Sequence, residues 1–460
     1  MSLIRIAIRN LFHRRLPSLL TMISMSLGVA LVVLVLTIAG MIERTFEQTS
    51  NVGYNLIIGA KGSSVQLTFN TVMFLSEPVE NIPYTAFMEF LPGAKARQEH
   101  YQKIGGKLDE SDRKGKYSSY TGGGFAIPMC MGDYVGPFRC VGTTPDYFNL
   151  LKHGRDGDKD YELAEGRNFV DYSEENGFFE AVIGSEVANV MNLKLGDEVF
   201  ASHGMEGGEK HDDGFRIVGI LKPTGTPNDR GAFVNMEGFY LLEGHVAPDR
   251  DDDGIEVKGS AVAPERESRL SKVRLPVEKR EVTAVLIKTG GVGGAAAIGL
   301  QKQVNKSTYA TAVSPISVIT QLLETFVKPV RFGLFLLTSL VCIVSAIGIL
   351  VSIYNSMSER KRDIAVMRSL GASRDHITMI ILLESTIIAV VGGFVGWFVG
   401  HLAGPISNLW TQKATGTTIG FLDSTAPQEL WLVPGMIVLG ILAGVIPAII
   451  AYRTSVVESL

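Results

Sequence analysis

Apolar and polar positions divide this chain into two kinds of segment. Four runs, 16–42, 331–358, 376–402 and 430–452, are apolar with almost no charge, and each is long enough to cross about 30 Å of hydrocarbon as a helix. Between the first two lies a long stretch, 43–330, in which short apolar runs alternate with helical patterns. NLIIGA (55–60), EAVIG (180–184), FRIVGIL (215–221) and EVTAVLIK (281–288) read as strands. The pattern predicts a membrane α-helical fold of four transmembrane helices, with a large mixed α+β extracytoplasmic domain inserted between helices 1 and 2.

Lys and Arg at the span ends set the orientation. Arg5, Arg9, Arg14 and Arg15 precede the first run, five cations (Arg360, Lys361, Arg362, Arg368 and Arg374) lie between the second and third, and Arg453 follows the fourth. The 403–429 connection holds Lys413 as its cation. Cytoplasmic flanks carry the excess of basic residues, so a multi-pass protein of the plasma membrane is expected, with both termini cytoplasmic. Residues 43–330 and the short 403–429 loop then face outward, and 453–460 form a cytoplasmic tail. The first run is longer than a signal-peptide core and no A-x-A site follows, so an uncleaved anchor is expected. Within 1–15, Ile4, Ala7, Ile8 and Leu11 share one helical face while Arg5, Arg9 and His13 share another, the pattern of an interfacial amphipathic helix.

With 46% hydrophobic and 20% charged residues, the composition fits a protein that is part membrane and part water-soluble. The net charge is −4 and no basic patch with interleaved aromatics occurs, so nucleic acid is not an expected partner. Cys342 lies in an apolar run and reads as a small hydrophobe. Cys130 and Cys140 are spaced to close a small disulfide loop if exported, or to remain two buried thiols.

Candidate chemistry in the exported stretch is thin. TGGVGGAAAIGLQKQVNK follows a strand as a glycine turn before a helix, like half of a βαβ unit, but it matches neither G-x-G-x-x-G nor a Walker A sequence. Asp249, Asp251, Asp253 and Gly254 have calcium-loop spacing with Ser260 where a bidentate Glu is required, and Asp156, Asp158 and Asp160 repeat the pattern with Tyr161 in the glycine place. Both read as solvated acidic turns, and 249–281 as a mobile charged loop. His203 and His211 are too isolated in the sequence to argue a zinc site. No catalytic residue, metal ligand or cofactor is expected on this chain, whose exported part would work by binding or changing shape.

Inside the membrane, Gly392, Gly396 and Gly400 form a small-xxx-small ladder, extended by Gly404; Gly440 and Gly444 mark the fourth span, and Ser24 and Gly28 the first. Small residues let helices in lipid approach closely, within one chain or between two. Glu384 is the acidic residue of the third span, and a structural or coupling role is expected for it rather than a proton relay. Four helices with so few charges make a poor hydrophilic conduit.

The 359–375 connection is more ordered than a topology signal requires. Ile364, Met367 and Leu370 recur along one side, with Arg360, Arg362, Asp363 and Arg368 elsewhere. Gly371 suits the left-handed position that ends a helix and Ser373 can cap the next.

Here the sequence resembles the MacB/FtsX-like permeases of ABC transporters. ERKRDIAVMRSLGAS (359–373) follows that family's connection motif with Asp363 in place of the usual Glu, and ESTIIAVVGGFVGWFVG and GVIPAIIAYRTSVVESL resemble its third span and terminal segment. TPDYF (144–148), EGRNF (165–169), VIGSEVANVMNLKLGDEV (182–199) and FRIVGIL resemble its periplasmic core; 60–125 and 240–280 are the least familiar parts. The resemblance implies that 359–371 is a coupling helix, with Arg360, Arg362, Asp363, Ile364, Met367, Arg368 and Leu370 contacting a separate cytoplasmic ABC ATPase that carries the ATP and Mg. It further implies a second permease chain, identical or a close paralogue, a surrounding of membrane lipid, and a membrane-fusion protein as a candidate partner. ATP-driven closing of the ATPases would then do mechanical work outside the membrane on a lipid-linked, lipoprotein, peptide or hydrophobic substrate. Two alternatives keep part of this picture: an FtsX-like scaffold controlling a cell-wall hydrolase, and an ATP-independent anchored receptor.

Overall fold

A computed structural model describes residues 3–13, 15–50, 53–91, 93–104, 114–154, 157–204, 208–248, 260–290, 294–359, 361–369, 371–415, 421, 429 and 431–453. The chain forms two compact units, one of Met1–Arg44 with Leu323–Leu460 and one of Thr45–Leu322.

The first unit is helical. An N-terminal helix, Leu3–His13, precedes four long apolar helices: Arg15–Ser50, Lys328–Glu359, Arg374–Thr415 and Leu432–Arg453. All four are long and apolar enough to cross a membrane. A further helix, Lys361–Ser369, lies between the second and third. The third helix continues through Pro405 to Thr415, so the first part of the connection expected as a loop is helical. Proline costs an internal backbone hydrogen bond, yet the helix runs on past Pro405 for ten more residues.

The second unit is built on an 11-stranded mixed sheet. Its strands are β1 (Leu56–Ala60), β2 (Phe125–Val135), β3 (Phe138–Thr143), β4 (Leu163–Gly166), β5 (Glu180–Ile183), β6 (Glu198–Val199), β7 (Ser202–His203), β8 (Phe215–Leu221), β9 (Gly231–Asn235), β10 (Ala284–Lys288) and β11 (Ala310–Val313). The order is β11-β1-β10-β2-β3-β9-β5-β8-β4, with β7 on β2 and β6 on β8.

Apolar residues cover both faces. Along β1, Leu56, Ile58 and Ala60 enter one core while Ile57 enters the other; along β10, Val285 and Ile287 oppose Ala284 and Leu286 in the same way. That is why these strands read as continuous apolar runs. Helices Ser64–Met73 and Pro315–Leu322 cover one face through Leu67, Val72 and Val318, and Ala295–Val304 covers the other through Leu300 and Val304. The half-βαβ expectation resolves into a split unit: β10, the Ala295–Val304 helix and β11 flank β1, which is antiparallel to both strands.

The charge-rich segment expected to be mobile differs in its described part. Arg266 pairs with Asp213 at 2.6 Å, Arg269 with Glu198 at 3.0 Å, and Arg274 with Glu237 at 2.8 Å. The first two guanidinium groups also lie over the Phe179 ring and the third over Phe178. Planar guanidinium groups pair and stack at once, which fixes this strap where the same number of lysines would leave it loose. Asp156 and 249–259 lie outside the described residues.

Candidate functional site

Helix Lys361–Ser369 ends in a hydrogen-bonded glycine stop. Gly371 has φ +98°, its N–H donates to Arg368 O at 3.0 Å, and the Ala372 N–H donates to Met367 O at 3.0 Å. These are the two bonds of the Schellman motif, which needs a left-handed residue at that point. The Ser373 hydroxyl then accepts from the His376 N–H at 3.2 Å, capping the third long helix.

The apolar side of this short helix does not face outward. Ile364 is buried in a cluster with Met25, Ile353, Ile377 and Ile381, and Met367 packs against it. Ile364 and Met367, both expected among the residues that contact an ATPase, anchor the helix to its own bundle, and Val366, 44% exposed, is on the surface. Arg368 is half-buried. Arg360 and Leu370 lie outside the described residues, as do the side chains of Arg362 and Asp363.

The small residues of the spans meet neighbours within the chain. A Cβ on Gly392 would approach Met22 O to 2.8 Å, one on Gly396 would approach Val29 Cβ to 2.9 Å, and one on Gly400 would approach Val33 Cβ to 2.7 Å. The ladder therefore seats the third long helix on the first. Gly440 sits against Ala389 and Thr386, and Gly444 against Ser385, joining the fourth to the third. Gly28 faces Val341 and Ser345, and Ser24 Oγ lies 3.3 Å from Ser345 Oγ, joining first to second. Glu384 is buried and accepts a hydrogen bond from Asn10 Nδ2 at 2.6 Å. The N-terminal helix is thus tied to the third span through a polar residue absent from the face drawn from periodicity. A second buried pair, His401 Nε2 and Glu429 Oε2 at 3.2 Å, joins the third helix to residue 429.

In the sheet unit, Cys130 and Cys140 are free and buried. The disulfide alternative is corrected: Cys130 Sγ is instead engaged at 3.3 Å with Tyr240 Oη and with Glu281 O. Burial pushes its thiol up to about 12, against the hydrogen bond to Tyr240.

The same unit brings together residues the sequence separates. Strand β7 pairs with β2 so that His203 stands opposite Asp133, at a register shift in the β2–β3 ladder. The chain returns at Lys210, which bridges Ser202, and the His211 N–H donates to Ala201 O at 3.0 Å. His245 follows the Met236–Tyr240 helix, which Asn235 caps through the Glu237 N–H at 2.9 Å. Asp133 Oδ2 lies 3.0 Å from His211 Nε2 and 3.1 Å from His245 Nε2, and Asp133 Oδ1 lies 3.2 Å from His203 Nδ1. Burial alone would raise the Asp133 carboxyl, but hydrogen bonds from His211 and His245 and the nearby imidazoles hold it well below the usual carboxylate range. A cavity of about 320 Å³ opens beside Asp133, His203 and His245. The statement that His203 and His211 are isolated is therefore overturned. Sequence separations of 78 and 112 residues between Asp133 and its partners His211 and His245 hid the cluster.

Comparison with known proteins decides the family. The profile of the MacB-like periplasmic core domain matches residues 18–261, and that of the FtsX-like permease C-terminal domain matches 335–456. The chain belongs to the MacB/FtsX-type ABC transporter permeases. Among relatives of this permease, the uncharacterized ABC transporter permease MJ1507 of Methanocaldococcus jannaschii is 25% identical over 63% of this chain and 62% of its own. ABC transporter permease YtrF of Bacillus subtilis is 28% identical over 31% of this chain and 36% of its own. The uncharacterized ABC transporter permease YknZ of the same organism is 22% identical over 86% and 85%. The permease thus spans less than two thirds of MJ1507 and of YtrF.

Proposed function

We propose that this permease couples ATP hydrolysis by a separate cytoplasmic ATPase to conformational work outside the membrane, on a lipid-linked, lipoprotein, peptide or hydrophobic substrate. The observation that carries the reading is the Lys361–Ser369 helix: stopped at Gly371, fastened to the spans through Ile364 and Met367, and exposed at Val366. A push on its outer side is delivered to packed helices rather than lost in a loop. The excess of basic residues at these flanks supports a cytoplasmic place for this helix and both termini, and an outside place for the sheet unit. ATP and Mg belong to the ATPase, since the chain has no Walker A sequence. A second permease chain, identical or closely related, completes the pair, and a membrane-fusion protein is a further candidate partner.

The test is co-purification. Arg362→Glu with Arg368→Glu, and separately Val366→Asp, should cut recovery of the ATPase several-fold while the chain still inserts in the membrane. Full recovery of the ATPase with both variants, and unaltered ATP turnover, would sink the coupling assignment.

A further inference from the structure

We propose that Asp133, His203, His211 and His245 form a binding site for a divalent transition-metal ion of the zinc class. This inference stands apart from the transport reading and rests on the sheet unit alone.

Three donor atoms are already arranged as a coordination face. Asp133 Oδ2, His211 Nε2 and His245 Nε2 are separated by 3.0, 3.1 and 3.3 Å, a nearly equilateral triangle. Zinc bonds of about 2.0–2.1 Å in a tetrahedron place neighbouring donors about 3.3 Å apart, so an ion fits over this triangle with small adjustment. His203 supplies the fourth donor, and all four ligand atoms lie within 4.8 Å of one another. Three imidazoles with one carboxylate suit zinc, and also copper(II) or nickel(II), better than calcium or magnesium, which prefer oxygen.

The surroundings hold the donors in place. The Asp133 and His211 side chains are 2% and 5% exposed. The His245 ring is held by Phe239 at 4.3 Å between centroids and stacks on His203 at 5.5 Å and 17°. His203 is 54% exposed at the cavity mouth, which gives an ion an entry path and an exchangeable side. Hydrogen bonding alone explains the cluster less well. If both Nε2–H groups donate to the single Oδ2, two like donors are left facing each other at 3.3 Å, a repulsion that a shared cation removes. The ion would tie together β2, the β7 segment with its return at Lys210, and the 241–247 turn, three segments whose residues Val135, Ala201 and Leu242 share one core.

The test uses the full chain in detergent, stripped with chelator and then titrated with zinc chloride. Elemental analysis after desalting should find about one zinc per chain, and zinc should raise the thermal midpoint. His203→Ala removes an exposed donor, so the fold is kept, and should weaken zinc at least about tenfold; His211→Ala with His245→Ala should abolish the bound equivalent. Nickel and copper chlorides serve as comparison ions, and tight binding of either at these same residues supports the site. The proposal is overturned if wild type retains no stoichiometric zinc, nickel or copper, or if it binds them as tightly after His203→Ala as before.

Discussion

His100 shows what burial does to one side chain in this molecule. Its Nε2 meets Tyr84 Oη at 2.9 Å, its ring stacks on Tyr84 at 5.8 Å, and Phe87 closes the edge at 5.7 Å. Burial first, then the positive charges of Lys103 and Arg280, push its pKa down to about 4, with Glu237 opposing. An unfolded histidine titrates near about 6.5. The unfolded chain therefore takes up the proton first, and stability present above pH 6.5 is lost as pH falls toward 4. Between pH 7 and pH 5 this amounts to about 2 kcal/mol. Chemical unfolding of the sheet unit in the full chain should show that loss, and His100→Gln should flatten it. An unchanged pH slope in the variant would remove His100 as its source. Glu237 acts in the same direction at lower pH: burial raises its carboxyl, but bidentate pairing with Arg280 at 2.9 Å and the Arg274 charge lower it. Its contribution is present above the ordinary carboxylate range and disappears only at more acid pH, so the two groups titrate in separable windows.

At the scale of elements, the glycine ladder makes a prediction with its own control. Gly396→Ala puts a Cβ 2.9 Å from Val29 Cβ and closer still to Ser26 O, whereas a Cβ on Gly348 in the second long helix meets nothing within 4 Å. Overpacking of this kind costs about 1–3 kcal/mol. Gly396→Ala should lower the thermal midpoint in detergent by several degrees and Gly348→Ala should not; equal midpoints would show that the ladder is not a packing seam. The ladder and the spans were legible because lipid imposes length and small residues impose contact. Strands such as FRIVGIL were legible because alternation is local. FAIPMCMGDYV was not: Pro128 and Gly132 break the pattern, yet this segment is β2, the strand that carries Cys130 and Asp133. EVTAVLIK splits at Thr283, whose hydroxyl accepts from the Met131 N–H at 2.9 Å, a contact across 152 residues that no window can see. The EGRNF motif became intelligible only in three dimensions: Gly166 takes φ +77° against Val218 O, and Arg167 Nη1 reaches the buried Glu180 carboxylate at 2.8 Å. The metal cluster was illegible for the same reason, since its donors come from three segments that only the sheet register and the capped 236–240 helix bring together.

For the whole molecule, the topology of the sheet bears on how a second compact unit can be carried inside a membrane chain. Its first strand, β1, pairs with its last, β11, through Ile57–Val313 and Ile58–Ala312. The inserted domain therefore closes on itself and hands the chain back beside the place it entered, so the core does not depend on the spans for completion. Both faces of the sheet are buried within the unit, and the Glu237–Arg280 pair is satisfied there by Arg274 and by Leu275 O at 2.7 Å. A domain of this length can bury enough apolar surface to fold alone. Residues 45–322 expressed without the spans should be soluble and unfold in one cooperative step, with circular dichroism and heat denaturation giving coincident transitions. A fragment that melts without cooperativity would mean that the spans complete the fold. Coincident transitions would make the sheet unit a fold complete in itself, with its stability set within residues 45–322.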